Sequence, residues 1–214
     1  MHSDNRWVSP ILEDFIKIIP SDQKYFCIGS VSLLSFTKKS YDRKIKDIDI
    51  ICEVKNFNFI KNNLLSLGYQ EYTFVDKKFP FYKPLQKLAQ TKYFRFEKNG
   101  NNLEIMTTDF GNLNNRVQVE LYPGIKFSFP SNGIINSSFE STKLKTVSPE
   151  TLYCIYSFGL KTWGLFVRKN IGQRKNDLQQ LKKLINKEKL SKITNNVFLK
   201  IGKLELKVPV FLLS

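Results

Sequence analysis

Along the first half of the chain, apolar residues fall in short runs whose spacing alternates between that of a helix and that of a strand. Ser9-Pro10, followed by Ile11, Leu12, Phe15, Ile16 and Ile19, gives a cap-and-proline start with one apolar face, so a first helix is predicted to run to about Ile19. Residues 25–28 form a brief apolar run closed by Gly29-Ser30, and Val31, Leu33, Leu34 and Phe36 behind it predict a short helix. Residues 45–52 read as a second strand, and Phe57, Ile60, Leu64, Leu65 and Leu67 as a helix that stops at Gly68. Residues 93–97 and 103–107 flank a segment centred on Asn99-Gly100, a strong hairpin signal. Between helix and hairpin, the Lys- and Pro-containing stretch 73–92 reads as an insertion.

Residues 117–122 and 125–129 predict two more strands turning at Pro123-Gly124, so the sheet should be mixed and partly antiparallel. Ser148-Pro149-Glu150 repeats the helix-start signature before Leu152, Ile155, Tyr156 and Leu160, and Asp177, Leu178, Leu181, Leu184 and Ile185 continue in helical spacing. The expected fold class is therefore α/β (α+β): a mixed sheet with flanking helices and a mainly helical C-terminal third, ending in an apolar run at 208–213. A soft boundary near residue 140 divides a first part, 1–139, from a mainly helical part, 140–214.

Composition narrows the function. With 214 residues, 42% of them hydrophobic, the chain can bury a core without disulfide staples. Its formal net charge is +15, distributed unevenly: residues 1–110 carry 17 basic and 13 acidic side chains, and the remainder 17 basic and 6 acidic. Residues 168–203 hold 11 of the basic ones, a candidate surface for a polyanion as well as an ordinary solvated helix face. Cys27, Cys52 and Cys154 lie in apolar runs without metal-ligand spacing, which fits core filling in a reducing cytosol. His2 is the only histidine and stands at a terminus, which removes His-based triads and His-zinc sites from consideration. No membrane partner is expected, because no stretch reaches the roughly 20 apolar residues of a membrane span and the first residues lack a leader-like apolar run.

Candidate chemistry gathers around Asp47-Ile48-Asp49-Ile50. Alternation along a strand points Asp47 and Asp49 to one face and the isoleucines into the core, and paired carboxylates on one face suit a hard divalent cation such as Mg²⁺ or Mn²⁺. Leu103-Glu104-Ile105 has the same form on another predicted strand. Three acids on neighbouring strands would suit a two-metal site with ions about 3.5–4 Å apart. Gly29-Ser30 at a strand-to-helix junction offers close backbone approach and free amides to a phosphate, while the long phosphate-loop pattern is absent. Each signal alone also fits a structural role, an exposed strand face or a plain turn. Trp163 and Phe166 read as closing a helical core with Leu160 and Leu165 rather than stacking on a base, and Phe79, Phe81 and Tyr82 as a buried loop tip as readily as a single-stranded nucleic-acid contact.

In order, Gly29-Ser30, Asp47-Ile48-Asp49 and Leu103-Glu104-Ile105 resemble the signature of the DNA polymerase beta-like nucleotidyltransferase superfamily. The resemblance implies that Gly29 and Ser30 hold the phosphates of an NTP such as ATP, that Asp47 and Asp49 bind the metal ions, and that Glu104 completes the metal site or acts as base. The run Arg43-Lys44-Ile45-Lys46 looks like the basic run before that motif in many members, which makes Lys46 a nucleotide contact. Val147-Ser148-Pro149-Glu150 and Arg174-Lys175-Asn176-Asp177 are similar to the layout of small bacterial nucleotidyltransferases of toxin and antibiotic-modifying kinds. Tyr156 stands where a lysine often follows that Ser-Pro-Glu, so Lys161, Arg168 and Arg174 become the candidates to pair with triphosphate charge. The implied activity is transfer of an NMP from an NTP to an acceptor hydroxyl. The basic second half favours RNA such as a tRNA end, in a toxin-like setting with a cognate antitoxin protein. The alternatives are an antibiotic acceptor of lincosamide or aminoglycoside type, and a catalytically silent binding module on the same fold.

Overall fold

The computed structural model describes residues 5–19, 24–37, 41–53, 55, 57–72, 93–108, 110, 115–122, 125–163, 171–201 and 204–213. The chain runs α1 (Val8–Ile18), β1 (Tyr25–Ile28), α2 (Gly29–Thr37), β2 (Asp47–Glu53), α3 (Phe57–Ser66), β3 (Gln70–Tyr72), β4 (Tyr93–Lys98) and β5 (Asn101–Thr108). It continues with β6 (Arg116–Tyr122), β7 (Ile125–Pro130), β8 (Ile134–Phe139), β9 (Thr142–Val147), α4 (Pro149–Trp163), α5 (Ile171–Lys182), α6 (Lys187–Thr194), β10 (Phe198–Ile201) and β11 (Leu204–Lys207). Seven strands form a mixed sheet in the order β3-β4-β5-β2-β1-β9-β8, and four form a second sheet, β11-β10-β7-β6. In the larger sheet β2 runs antiparallel to β1 and parallel to β5, while β1 runs parallel to β9.

Alternation in β2 explains its central place. Ile48 and Ile50 are fully buried among Phe15 of α1 and Ile60 and Leu64 of α3, whereas Ile51 faces the opposite side with Phe127, Phe129, Leu152 and Phe158. Each of these side chains contributes about 1.5–3 kcal/mol by leaving water. The period of two then assigns Asp47 and Asp49 to the face of Ile51, the one on which the second sheet and α4 pack. The sequence of the strand thus decides that the carboxylates look toward the C-terminal half of the chain.

Several boundaries differ from the sequence expectation. α1 begins at Val8 with Trp7 at its cap and no side-chain cap hydrogen bond; Ser9 lies inside the helix, where its Oγ donates to Glu140 Oε2 at 2.6 Å. α4, α5 and α6 fill much of residues 149–194 as expected, but Phe198–Ile201 and Leu204–Lys207 are strands rather than more helix, and β10 pairs with β7. Their period-two pattern is brief and interleaved with lysines, and the partner strand that stabilises it lies some seventy residues earlier. Residue 140 falls in the turn between β8 and β9, so both sheets take strands from either side of it. The 73–92 insertion, the Pro123-Gly124 turn and Phe166 lie outside the described residues. No helix among the described residues is long and apolar enough to cross a membrane.

Candidate active site

At the end of β1 the chain turns through Gly29 with φ +69, a left-handed conformation that favours glycine. Space demands the same residue. A Cβ built there would run into Asp49 Oδ2, with Asp49 Cγ only 3.4 Å away, so the missing side chain is what lets the carboxylate lie against the turn. α2 starts at this glycine, and Ser32 Oγ donates to Cys27 O at 2.7 Å, tying its first turn back to the strand. Ser30 is buried in that turn. The Cys27 thiol, fully buried and pushed up to about 12 by burial and then by the Asp49 charge, is inert filler.

Strand register sets Ile28, Asp49, Glu104 and Arg95 in one row across β1, β2, β5 and β4. Residues opposite one another in a sheet share a face, so Asp49, Glu104 and Arg95 are neighbours, with Asp47 two positions along β2 on the same side. The Asp49 carboxyl is held well above its ordinary 3.8 by burial first, then by the charges of Asp47 and Glu104; Arg174 and Arg43 oppose the shift. Asp47 is raised by burial and by Glu104, against Arg95, Arg43 and Lys46. These are carboxylates crowded together on one partly buried face. Glu104 is itself held by Arg95, whose Nη2 and Nε both donate to Oε1, the latter at 2.8 Å.

Asp47 and Asp49 are hard oxygen donors on one face beside a glycine turn, the donor type that a divalent cation such as Mg²⁺ takes. As they stand, no three His, Cys, Asp or Glu side chains among the described residues are gathered tightly enough to hold an ion. The Arg95 guanidinium occupies the side of Glu104 that faces β4.

A basic arc completes the surroundings. Arg43, in the loop before β2, donates through Nη1 to Ser30 Oγ and pairs through Nε with Asp177 Oδ1 at 3.3 Å. Asn5 fixes that loop: its Nδ2 donates to Arg43 O at 2.8 Å, and its Oδ1 accepts from Ile45 N–H at 2.9 Å. Arg174 of α5 lies over the ring of Tyr156, 4.1 Å from its centroid. The Tyr156 hydroxyl, pushed up to about 12 chiefly by burial, stays neutral under that cation.

The structure therefore brings together Gly29, Ser30, Asp47, Asp49 and Glu104, with Lys46 and Arg174 acting electrostatically on the aspartates. Lys161 is placed differently: at the end of α4 its ammonium donates to Phe211 O at 2.5 Å. Arg168 and the side chain of Trp163 lie outside the described residues. Arg95 was missed by sequence reasoning although a signal existed. A two-residue Asn99-Gly100 turn sets Lys98 opposite Asn101 and so Arg95 opposite Glu104, a register hidden when the turn is taken as five residues long. Tyr41, Gln173 and the pairing of Arg43 with Asp177 had no local signal.

No protein-family model matches the sequence, and no curated protein matches it. Solved structures do. The lincosamide antibiotic adenylyltransferase LnuA, lincomycin-bound, superposes with a TM-score of 0.56 at 15% identity, over 86% of this chain and 100% of that one. ANT(2'')-Ia in complex with adenylyl-2''-tobramycin gives a TM-score of 0.60 at 10% identity, over 86% of this chain and 93% of that one. The chain has the nucleotidyltransferase fold. The solution structure of the antibiotic-resistance factor ANT(2'')-Ia agrees, with a TM-score of 0.59 at 10% identity, over 87% of this chain and 89% of the other. Within the nucleotidyltransferase fold, the expected mixed sheet, glycine turn and acidic strand face fall into one connected region.

Proposed function

We propose that this chain is a metal-dependent nucleotidyltransferase that moves an NMP from an NTP to an acceptor hydroxyl. The observation that carries the reading is the Asp49 carboxylate seated on the Gly29 turn, in a row with Glu104 and beside Asp47, in a chain of this fold. Asp47 and Asp49 would hold Mg²⁺ or Mn²⁺, with Glu104 as third ligand or base. When bound, the ion supplies charge neutralisation for the phosphates and the leaving pyrophosphate. Gly29 and the buried first turn of α2 present backbone and the Ser30 hydroxyl to phosphate oxygens, while Arg43, Lys46 and Arg174 add positive charge around them. The acceptor oxygen forms a bond to the α-phosphorus as the bond from that phosphorus to the bridging α–β oxygen breaks. Pyrophosphate leaves, and the hydroxyl proton passes to a carboxylate of the site. Positioning and electrostatics supply most of the rate in such a transfer.

RNA is the acceptor favoured by charge, because the residues after 110 carry 17 basic and 6 acidic side chains and α5 and α6 bring lysines to the same half of the chain. On this reading residues 140–214 form the part that contacts substrate, and an acidic antitoxin protein is a fitting regulator. A small hydroxylated antibiotic is the second reading, favoured by the acceptors named for LnuA and ANT(2'')-Ia. The test is to incubate the chain with each labelled NTP, Mg²⁺, and either total cellular RNA, a lincosamide or an aminoglycoside. Label on RNA, lost in Asp47→Asn and falling steeply between 50 and 200 mM salt (roughly 10-fold or more) supports the first reading. Label on a drug alone supports the second, and NTP binding without transfer to anything identifies a silent module.

A further inference from the structure

Asp177 on α5 is fully buried, and its two oxygens are used unequally. Oδ1 accepts from Tyr41 Oη at 2.8 Å and from Gln173 Nε2 at 3.1 Å, and faces Arg43 Nε at 3.3 Å. Oδ2 has no hydrogen-bond partner among the described residues, and the buried Nε–H of Arg43 makes no hydrogen bond either. Buried Arg–carboxylate pairs gain most when they close as a two-pronged fork, and an unsatisfied buried carboxylate oxygen is costly. This pair is half made. The guanidinium is drawn away by the Ser30 hydroxyl, to which Nη1 donates, and Ser30 is the residue after the glycine turn on which Asp49 rests.

The same helix carries Arg174, one turn before Asp177, stacked on Tyr156. Arg43 reaches the residue after the turn on which Asp49 rests, so α5 brings one cation to that turn through Asp177 and carries a second, Arg174, on its own backbone. A triphosphate entering there competes for the Ser30 hydroxyl and for guanidinium protons. We infer that Asp177 is a positioning residue of the nucleotide site, holding Arg43 beside Ser30 so that its guanidinium meets the NTP phosphates. When a phosphate oxygen takes the Ser30 hydroxyl, the guanidinium turns to complete its fork on both Asp177 oxygens, keeping its remaining N–H groups on the phosphate. Nucleotide binding and the docking of α5 are thereby coupled. The inference rests on the nucleotidyltransferase reading above.

The experiment measures, on the full chain, the Kd of a non-hydrolysable NTP analogue with Mg²⁺, and kcat and KM for transfer. The variants are Asp177→Asn, Arg43→Lys and, as a remote control, Lys55→Ala. Asp177→Asn and Arg43→Lys should each raise Kd and KM at least about tenfold while kcat changes less than about threefold, and Lys55→Ala should match the parent. Amide exchange in α5 should slow when the analogue binds the parent and stay unchanged in Asp177→Asn. A merely structural Asp177 would lower the melting temperature and leave Kd and KM where they were, which overturns the inference. Should Asp177→Asn fail to fold, Arg43→Lys decides: parental Kd there, with charge kept but the fork lost, overturns it equally. A parent chain that binds no NTP defeats the nucleotidyltransferase reading itself, whereas a parent that binds with indifferent variants defeats the positioning role alone.

Discussion

Replacing Asp49 with asparagine separates the two roles a carboxylate can have, because the amide keeps the shape that fits against Gly29 and removes only the charge. Asp47 lies two residues away along β2, about 6.5 Å, and Glu104 one strand away, about 5 Å. At an effective dielectric of about 40, between the ~20 of protein sites and the ~80 of water, like charges at these spacings repel by roughly 1.3 and 1.7 kcal/mol. Arg174, Arg43 and the Arg95 partner of Glu104 offset most of this. A net gain of about 1 kcal/mol remains at a pH high enough to ionise Asp49, and for a chain of this length that raises the melting temperature by about 2–4 °C. The gain should shrink as pH falls and Asp49, its carboxyl raised chiefly by burial, takes up a proton of its own. Transfer activity should fall at least about 10³-fold with the lost ion ligand. Thermal shift assays with and without Mg²⁺ report both halves: the parent is stabilised by the ion and Asp49→Asn is not. An apo melting temperature that drops, or an undiminished Mg²⁺ shift, would refute the reasoning.

Raised carboxyls make apo stability depend on pH in a definite direction. Between about pH 4 and their folded values Asp47 and Asp49 keep protons that unfolded carboxylates at 3.8 have lost, so stability should fall as pH rises through that window, and the Asp47→Asn/Asp49→Asn double variant should lose much of that slope in urea titrations. Gly29→Ala should cost about 2–4 kcal/mol, from the left-handed backbone and the collision with Asp49, while Gly100→Ala, also at positive φ but with open space around it, should cost about 1 kcal/mol; denaturation midpoints compare them. Arg174→Gln removes a cation that lowers Asp49, so the acid limb of the pH–rate profile should move to higher pH; an unmoved limb would separate Arg174 from the acids.

Local rules carried much of the fold. The left-handed turn at Gly29, the alternation from Asp47 to Ile50 and the Asn99-Gly100 hairpin are each decided within a few residues, and the acid row follows once those strands pair. What stayed hidden depends on distant partners. β8 carries serines at partly buried positions and β9 threonines at buried ones, and β10 and β11 are four residues each with a charged side chain between apolar ones, so none announces itself without its neighbour strand. The link from Tyr41 to Asp177 joins positions 136 apart in the chain. A buried aspartate in a predominantly polar helix reads from sequence as one more solvated charge. The contact of the Lys161 ammonium with Phe211 O, fifty residues further on, likewise has no local signal.

If Asp47 and Asp49 share a divalent ion on the Gly29 turn, crystals of the chain grown with Mn²⁺ and a non-hydrolysable NTP analogue will show it. Anomalous scattering should place manganese within about 2.0–2.3 Å of an oxygen from each aspartate, with the triphosphate over the first turn of α2. Manganese bound elsewhere, or a nucleotide seated away from that turn while both carboxylates stay without metal, would contradict the account.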